Sequence, residues 1–267
     1  MPRDREKRKR SAEKPYWLVS RFYDEMWPSR TNAWKRARQK LLGPVLKYSK
    51  TICDLGCGTG SNSVEFARRG LKVYSLDLSA DMCRATREKA RKKRVEVWVK
   101  QADMREFRLP QPVDCIVSEW GPINHLRKKT DLLKVARAAA RALRPGGYFY
   151  FDLHRPRFFE DWEKTVVFEN RRYLLVKQGG YSRQLQRGWA EFTFFIPAPR
   201  GRWTRHTDFF IHIHWTHAQV LQALRRAGFN SIRLFDFNDF DVPPSSRPSE
   251  SSRRTMYLAR KQKAENS

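Results

Sequence analysis

The sequence predicts an α/β fold, a mostly parallel sheet with helices packed on its faces. Three observations carry that expectation. An apolar run at residues 51–55 contains Asp54 at its end, meets glycines at positions 56, 58 and 60, and passes into a helical pattern from Ser61. Strand, glycine turn and helix in that order form the first unit of a nucleotide-binding α/β sheet. Strand-like and helix-like segments then keep alternating as far as residue 154. A helix pattern and two strand-like runs complete the chain between residues 216 and 260.

Taken in order, residues 1–14 hold seven Lys/Arg and three acids without an apolar period. They read as a disordered basic arm. Residues 15–44 open with Tyr16, Trp17, Phe22, Tyr23 and Trp27, then turn helical. This segment suits a lid over a cofactor or substrate, or aromatic packing across the sheet edge. Residues 51–55 are the first strand, and Ser61 or Asn62 is the expected helix N-cap. The following helix stops at Gly70. Residues 71–77 alternate as the second strand and end at Asp77. A helix to about Lys93 follows, then a third strand with its exit over 95–104 and a fourth over 114–118. Leu132, Ala136, Ala139 and Leu143 recur at helical spacing. Arg144-Pro145-Gly146-Gly147 reads as a turn before a fifth, aromatic strand at 148–154.

Residues 155–215 leave this rhythm. Short strand-like runs separated by Gly- and Pro-bearing turns predict an antiparallel insertion of three or four strands. In its last run His212 and His214 share one strand face, opposite Phe209, Ile211 and Ile213. Two histidines at that spacing are compatible with a metal, but no third ligand is evident, so no metal is expected. Thr216 caps a helix, residues 231–237 form a sixth strand, 242–252 a Pro- and Ser-rich loop, and 254–260 a seventh strand. Residues 261–267 are a charged tail.

The glycine spacing is specific. Gly60 follows Gly58 by two residues, not the three of a dinucleotide fingerprint, and no GKS or GKT follows, which excludes a P-loop. Asp54-Leu55-Gly56-Cys57-Gly58-Thr59-Gly60 resembles motif I of the class I methyltransferases that use S-adenosylmethionine. Asp77 at the end of the second strand and Asp103-Met104 after the third strengthen the resemblance. So does Arg-Pro-Gly-Gly before an aromatic strand. Glu119 to Leu126 looks like the corresponding stretch of small-molecule enzymes of the glycine N-methyltransferase and methyltransferase domain 25 type. The Asn/Asp-Pro-Pro-Tyr/Trp tetrapeptide of base and glutamine methylation is absent.

The resemblance implies a Rossmann-like seven-stranded sheet over residues 15–260 with a β insertion after strand 5. It implies S-adenosylmethionine as cofactor, held by Asp54, Gly56, Cys57, Gly58, Gly60, Asp77, Leu78, Asp103, Met104, Glu119 and Trp120. Asp77 would accept from the ribose hydroxyls, or merely cap the next turn. Glu119 and His125 are candidate general bases, needed only if the acceptor arrives protonated. His125 alternatively bonds backbone at a helix start.

Composition sets the remaining bounds. The net charge is +27, with +4 in residues 1–14, +4 in residues 242–267 and the rest spread over the folded part. A basic body permits RNA as partner or is a generally basic surface. The alternatives to methyl transfer onto a small molecule are therefore an RNA methyltransferase and a non-catalytic binder of the cofactor. Cys53, Cys57, Cys83 and Cys115 form no CxxC pair and read as small apolar fillers. No apolar run of membrane-spanning length and no secretory pattern is present, so a cytoplasmic protein is expected.

Overall fold

The structure, a computed structural model, describes residues 16–26, 32–237 and 252–263. The predicted basic arm, Trp27, most of the 242–252 loop and the last four residues of the tail lie outside the described residues. Two helices, α1 (Val19–Met26) and α2 (Asn32–Leu46), precede the first strand. The core then runs β1 (Thr51–Leu55), α3 (Ser61–Arg68), β2 (Lys72–Asp77), α4 (Ala80–Lys92), β3 (Trp98–Gln101) and β4 (Val113–Ser118). A 3₁₀ turn (Pro122–His125), α5 (Lys129–Ala142) and β5 (Leu143–His154) follow.

Beyond β5 the chain forms a short helix α6 (Pro156–Glu160) and then β6 (Val166–Glu169), β7 (Leu174–Ser182), β8 (Arg187–Ala198) and β9 (Arg202–Ile213). It closes with α7 (His217–Arg226), β10 (Phe229–Phe237) and β11 (Arg254–Lys261).

Seven strands make the central sheet in the order β10-β11-β5-β4-β1-β2-β3. β11 runs antiparallel to both β10 and β5, while β1 pairs parallel with β2 and β4. The strand order reverses between β1 and β4, which opens a crevice beyond their carboxyl ends, where such sheets bind ligands. All five residues of β1 are buried, so both faces of the strand meet packed layers. Ile52 points into a layer with Trp34, Leu42 and Phe66 of α2 and α3. Cys53 points into the opposite layer, with Ala136 and Ala139 of α5 and Leu224 of α7. All four cysteines are free and buried.

Three boundaries differ from the expectation, each for a local reason. Neither Ser61 nor Asn62 caps α3: Gly60 is the N-cap, in a left-handed conformation (φ 79°) without a side-chain cap. The third strand starts at Trp98, not at 95, because Arg94 turns left-handed (φ 53°) and the Val95 N–H returns to Ala90 O at 3.1 Å. The Arg-Pro-Gly-Gly stretch is not a free turn but the bulged start of β5. Leu143 pairs with Val113 and Tyr148 with Cys115, so the four residues 144–147 stand opposite Asp114 alone.

The insertion is a separate antiparallel sheet in the order β6-β7-β8-β9. Its apolar face carries Phe192, Phe194, Phe210 and Tyr173, and onto it pack Leu18, Val19 and Phe22. The N-terminal aromatic segment thus packs on the inserted sheet, not across an edge of the central one. The Val19 N–H donates to Asp208 Oδ2 of β9 at 3.0 Å. At the other end of α1, Asp24 accepts from Thr59 Oγ1 at 2.7 Å and pairs with Lys89 Nζ at 2.7 Å. One short helix therefore ties the glycine loop to the insertion.

Candidate active site

The glycine loop is shaped by steric necessity at two positions. Gly56 has φ 76°, and a Cβ there would lie 2.7 Å from Pro122 Cβ. Gly60 has φ 79°, and its Cβ would lie 2.6 Å from Thr86 Cγ2. Both combine a left-handed backbone with a close approach, which only glycine accommodates. Gly58 faces the open side, where Tyr23 of α1 stands 3.7 Å from the position of a Cβ.

Three cavities adjoin one another here, two of them over this loop. One of about 390 Å³ is lined by Gly56, Gly58, Asp77, Leu78, Asp103 and Met104, and also by Glu119, Trp120 and His125. A second of about 400 Å³ lies on the other side of the loop and is lined by Asp54, Cys57 and Asn62, sharing Gly56, Gly58, Glu119 and Trp120 with the first. A third of about 270 Å³ lies under the inserted sheet, walled by Phe158, Trp162, Phe192 and Phe210. Tyr23 and Trp120 line all three. Of the residues expected at the cofactor, only Gly60 lines none of these cavities; it serves as the α3 cap.

Asp77 is half-buried at the mouth of the first cavity. Its Oδ2 accepts from the Gly58 N–H and its Oδ1 from the Ser79 N–H, both at 2.9 Å. Burial raises its pKa, against those two bonds. Each oxygen keeps a further lone pair for a ligand hydroxyl. Asp103 is clasped by Arg105, whose Nε lies 2.9 Å from Oδ1, and this pairing lowers the Asp103 pKa. Asp54 is buried, accepts from Ser63 Oγ at 2.6 Å, and is pushed up to about 7 by burial.

Glu119 directly follows β4 and lies in a buried charge cluster. Arg38 Nη1 donates to its Oε2 at 2.8 Å, as does Asn62 Nδ2 at 2.8 Å. Arg38 also donates to Glu65 Oε2 at 2.6 Å. Burial raises the Glu119 pKa and Arg38 lowers it, the first effect being the larger. Next in the chain, Trp120 and Gly121 are both left-handed (φ 77° and 75°). Their N–H groups donate to Asp152 Oδ1 at 2.6 and 3.1 Å, which fixes this strained turn at the end of the strand.

His125 follows that turn, and it does not simply bond backbone. Its Nε2 lies 2.5 Å from Tyr16 Oη and 2.9 Å from His212 Nε2. His212 Nδ1 in turn lies 3.2 Å from His154 Nδ1. Burial pushes His125 down to about 4 and His212 well below its ordinary value, so both imidazoles are neutral near pH 7. His214, sharing the His212 face of β9, is instead drawn to Arg155 and Tyr181. Among the described residues no group of three or more side chains is placed to hold a metal ion.

Arg38, Asp152, His154 and Arg254 are site residues that the sequence did not single out. None belongs to a motif, and each enters through a long-range contact. For Asp152 a signal existed: an acid inside the aromatic run 148–154 demands a buried partner, which is Arg254 Nη1 at 2.8 Å.

The sheet order, the glycine loop and the acid that ends β2 together define a class I methyltransferase fold. Residues 52–147 match the family model described as a methyltransferase domain. A protein of Geobacillus sp. (strain WCH70) that bears the name of a methyltransferase is 27% identical over 92% of this chain and 99% of its own length. The dTDP-4-amino-2,3,4,6-tetradeoxy-D-glucose N,N-dimethyltransferase of Saccharopolyspora spinosa is 32% identical over 47% of this chain, which spans half of that enzyme. Among solved structures, an S-adenosylmethionine-dependent methyltransferase from Clostridium acetobutylicum superposes with a TM-score of 0.74 at 15% identity, covering 92% of this chain and 99% of that one. The sugar N-methyltransferase KedS8 from Streptoalloteichus sp. gives 0.70 at 21% identity, over 90% and 93%. No helix among the described residues is long and apolar enough to cross a membrane.

Proposed function

We propose that this chain transfers the methyl group of S-adenosylmethionine to a nucleophilic atom, first of all an amine nitrogen, of a small-molecule acceptor. The observation that carries the reading is the meeting of the first and third cavities at Tyr23 and Trp120. One pocket has the acids and glycines suited to the cofactor, and the other is a compact aromatic chamber closed by the inserted sheet and α1. Two of the relatives bear the names of sugar N-methyltransferases, which supports an amine nitrogen as the acceptor atom.

The residues present fit the cofactor. Asp77 offers free lone pairs at the cavity mouth for the ribose hydroxyls. Leu78 and Met104 flank an apolar slot for the base, with Asp103 at its edge. The backbone of Gly56 and Gly58 leaves room for the amino-acid part, with Asp54 and Cys57 behind it. When bound, the cofactor supplies an electrophilic methyl on a sulfonium. The protein's own work is to orient the acceptor and exclude water, which contributes several kcal/mol through proximity. Tyr23 and Trp120 stand at the junction, and α1 serves as the lid.

We assign His125 to the acceptor. It is neutral at pH 7, presents a lone pair to an acceptor N–H or O–H, and can take the released proton. Glu119 is committed to Arg38 and Asn62, so we assign it to holding the strand end and Trp120 in place. RNA is the weaker reading, because a chamber of about 270 Å³ has room for one or two rings and not for a run of nucleotides.

Release of S-adenosylhomocysteine is the test, run on a panel of amino sugars, small amines, carboxylates and phenols and, in parallel, on total RNA at two salt concentrations. Turnover confined to small molecules upholds the reading. Turnover confined to RNA, with steep loss in salt, overturns it.

A further inference from the structure

The charges around the aromatic chamber do not cancel. Arg254 and Lys177 are its cations and Asp161 its carboxylate. Arg254 is buried and bound to Asp152 Oδ2 at 2.8 Å, with its guanidinium 4.5 Å from the Phe158 ring centre. Asp161 accepts from Arg253. Both of those charges are thus paired. Lys177, in the middle of β7, is half-buried, with Nζ 5.9 Å from the Trp162 ring centre. Among the described residues no carboxylate lies within ion-pair distance of it. Burial lowers its pKa while the more distant Asp161 works the other way. A half-buried ammonium without a counter-ion is costly, and a ligand anion would remove that cost.

Placement gives the site a direction. Tyr16, Tyr23 and Trp120 line both the chamber and the cofactor cavity, whereas Lys177 lines only the chamber. The ammonium therefore stands away from the wall at which methyl transfer would occur. The chamber's 270 Å³ lies just below the usual range for drug-sized ligands, about 300–1,000 Å³, which suits one or two rings and not a whole nucleotide sugar. Aromatic walls alone would equally suit a cationic acceptor, but the surplus positive charge opposes one.

We propose that the chamber takes a compact, flat acceptor whose anionic group, a carboxylate or a phosphate monoester, pairs with Lys177 while its nucleophilic end faces Tyr23 and Trp120. The proposal rests on the cofactor reading above and adds the acceptor's charge.

The test is calorimetric and needs no known substrate. Protein saturated with S-adenosylhomocysteine is titrated with benzoate, phenyl phosphate, benzamide and benzylammonium. At least one anion should bind tenfold or more tightly than benzamide and benzylammonium, and the stronger of the two anions identifies the group. Lys177→Met, which keeps the stem, and Lys177→Gln should both erase the preference, Lys177→Arg should retain it, and none should change S-adenosylhomocysteine affinity. Equal binding of the four probes, tighter binding of benzylammonium, an anion preference surviving in both neutral variants, or no binding of either anion would each overturn the proposal. Failure of S-adenosylhomocysteine itself to bind is a separate outcome and strikes the cofactor reading on which this one stands.

Discussion

Replacing Arg38 by Met should destabilise the protein in a pH-dependent way. Arg38 is 1% exposed and holds Glu119, Glu65 and Asn62 at 2.8, 2.6 and 2.7 Å. The two carboxylates lose unequally. Glu65 is partly exposed and keeps Arg69 at 2.8 Å, so water and that partner compensate it. The Glu119 side chain has no exposure, and without Arg38 only the neutral side chains of Asn62 and Trp34 would face it. Methionine preserves the stem's packing near Phe66, so the cost is mainly that of an uncompensated buried charge, about 3–5 kcal/mol. For a chain of this size that lowers Tm by about 6–20 °C.

The sign with pH follows from Glu119. Its folded pKa is raised by burial, and Arg38 is the largest effect opposing that rise. Without Arg38 the pKa climbs further, the folded state holds the proton more strongly than the unfolded one, and stability falls as pH rises above about 4.3. The deficit against wild type should be small at pH 5 and largest at pH 8. Arg38 also holds Asp54 down, so its removal raises that acid further and adds to the loss at high pH, whereas Asp77 and Asp152 are raised without a contribution from Arg38 and largely cancel in the difference. Urea denaturation followed by tryptophan fluorescence at pH 5, 6.5 and 8 reads it directly. A deficit under about 1 kcal/mol, or one equal at all three pH values, refutes the reasoning. Arg38→Met combined with Glu119→Gln should recover most of the loss.

Asp77→Asn should weaken S-adenosylhomocysteine binding by about 10- to 100-fold, the worth of one or two charge-assisted hydrogen bonds, with little change in Tm; a calorimetric change under threefold removes Asp77 from the site. Gly56→Ala, with its Cβ against Pro122, should cost about 2 kcal/mol or more, while Gly70→Ala, equally left-handed (φ 82°) but in open space, should cost about 1 kcal/mol; equal losses in denaturation would show that the contact with Pro122 is unimportant. Because burial holds His125 down to about 4, methyl transfer to an acceptor in the panel that does not itself titrate in this range, or the rate corrected for the acceptor's own ionisation, should stay level from pH 8 to pH 6 and fall only below about pH 5. A midpoint near 6.5 in the rate would mean that another group limits it. The same shift makes stability decline as pH drops from about 6.5 toward 4, since the unfolded chain binds the proton first.

Residues 51–77 show why part of the molecule was legible in sequence. The strand, the glycines and Asp77 act through local backbone geometry, and the Asp77 bonds reach only to residues 58 and 79. Such features leave a spacing in the chain. The acceptor side is built the other way. His125 meets Tyr16 from 109 positions upstream and His212 from 87 downstream, and Arg254 meets Asp152 across 102. No spacing encodes contacts of that range, because they depend on how the second sheet and α1 fold over the first. The alternation in β9 did put His212 on a different face from Ile211 and Ile213, but the pattern is symmetric about the strand. Only the packing of α1 against Asp208 and Phe210 decides that the histidine face looks into the site.

That asymmetry bears on how substrate choice is stored in this chain. The groups suited to the cofactor sit on the strand ends of the central sheet, where the parallel order itself creates the crevice. The groups suited to the acceptor are split between the N-terminal segment, the exit of β4 and the inserted sheet. α1 joins these parts through Asp24 to the glycine loop and through the Val19 N–H to Asp208. Changes in β7 or α1 can therefore alter the chamber without touching Gly56, Asp77 or Asp103. Acceptor preference should respond to Lys177 and Tyr16, and cofactor affinity to Asp77, as two separable sets of substitutions.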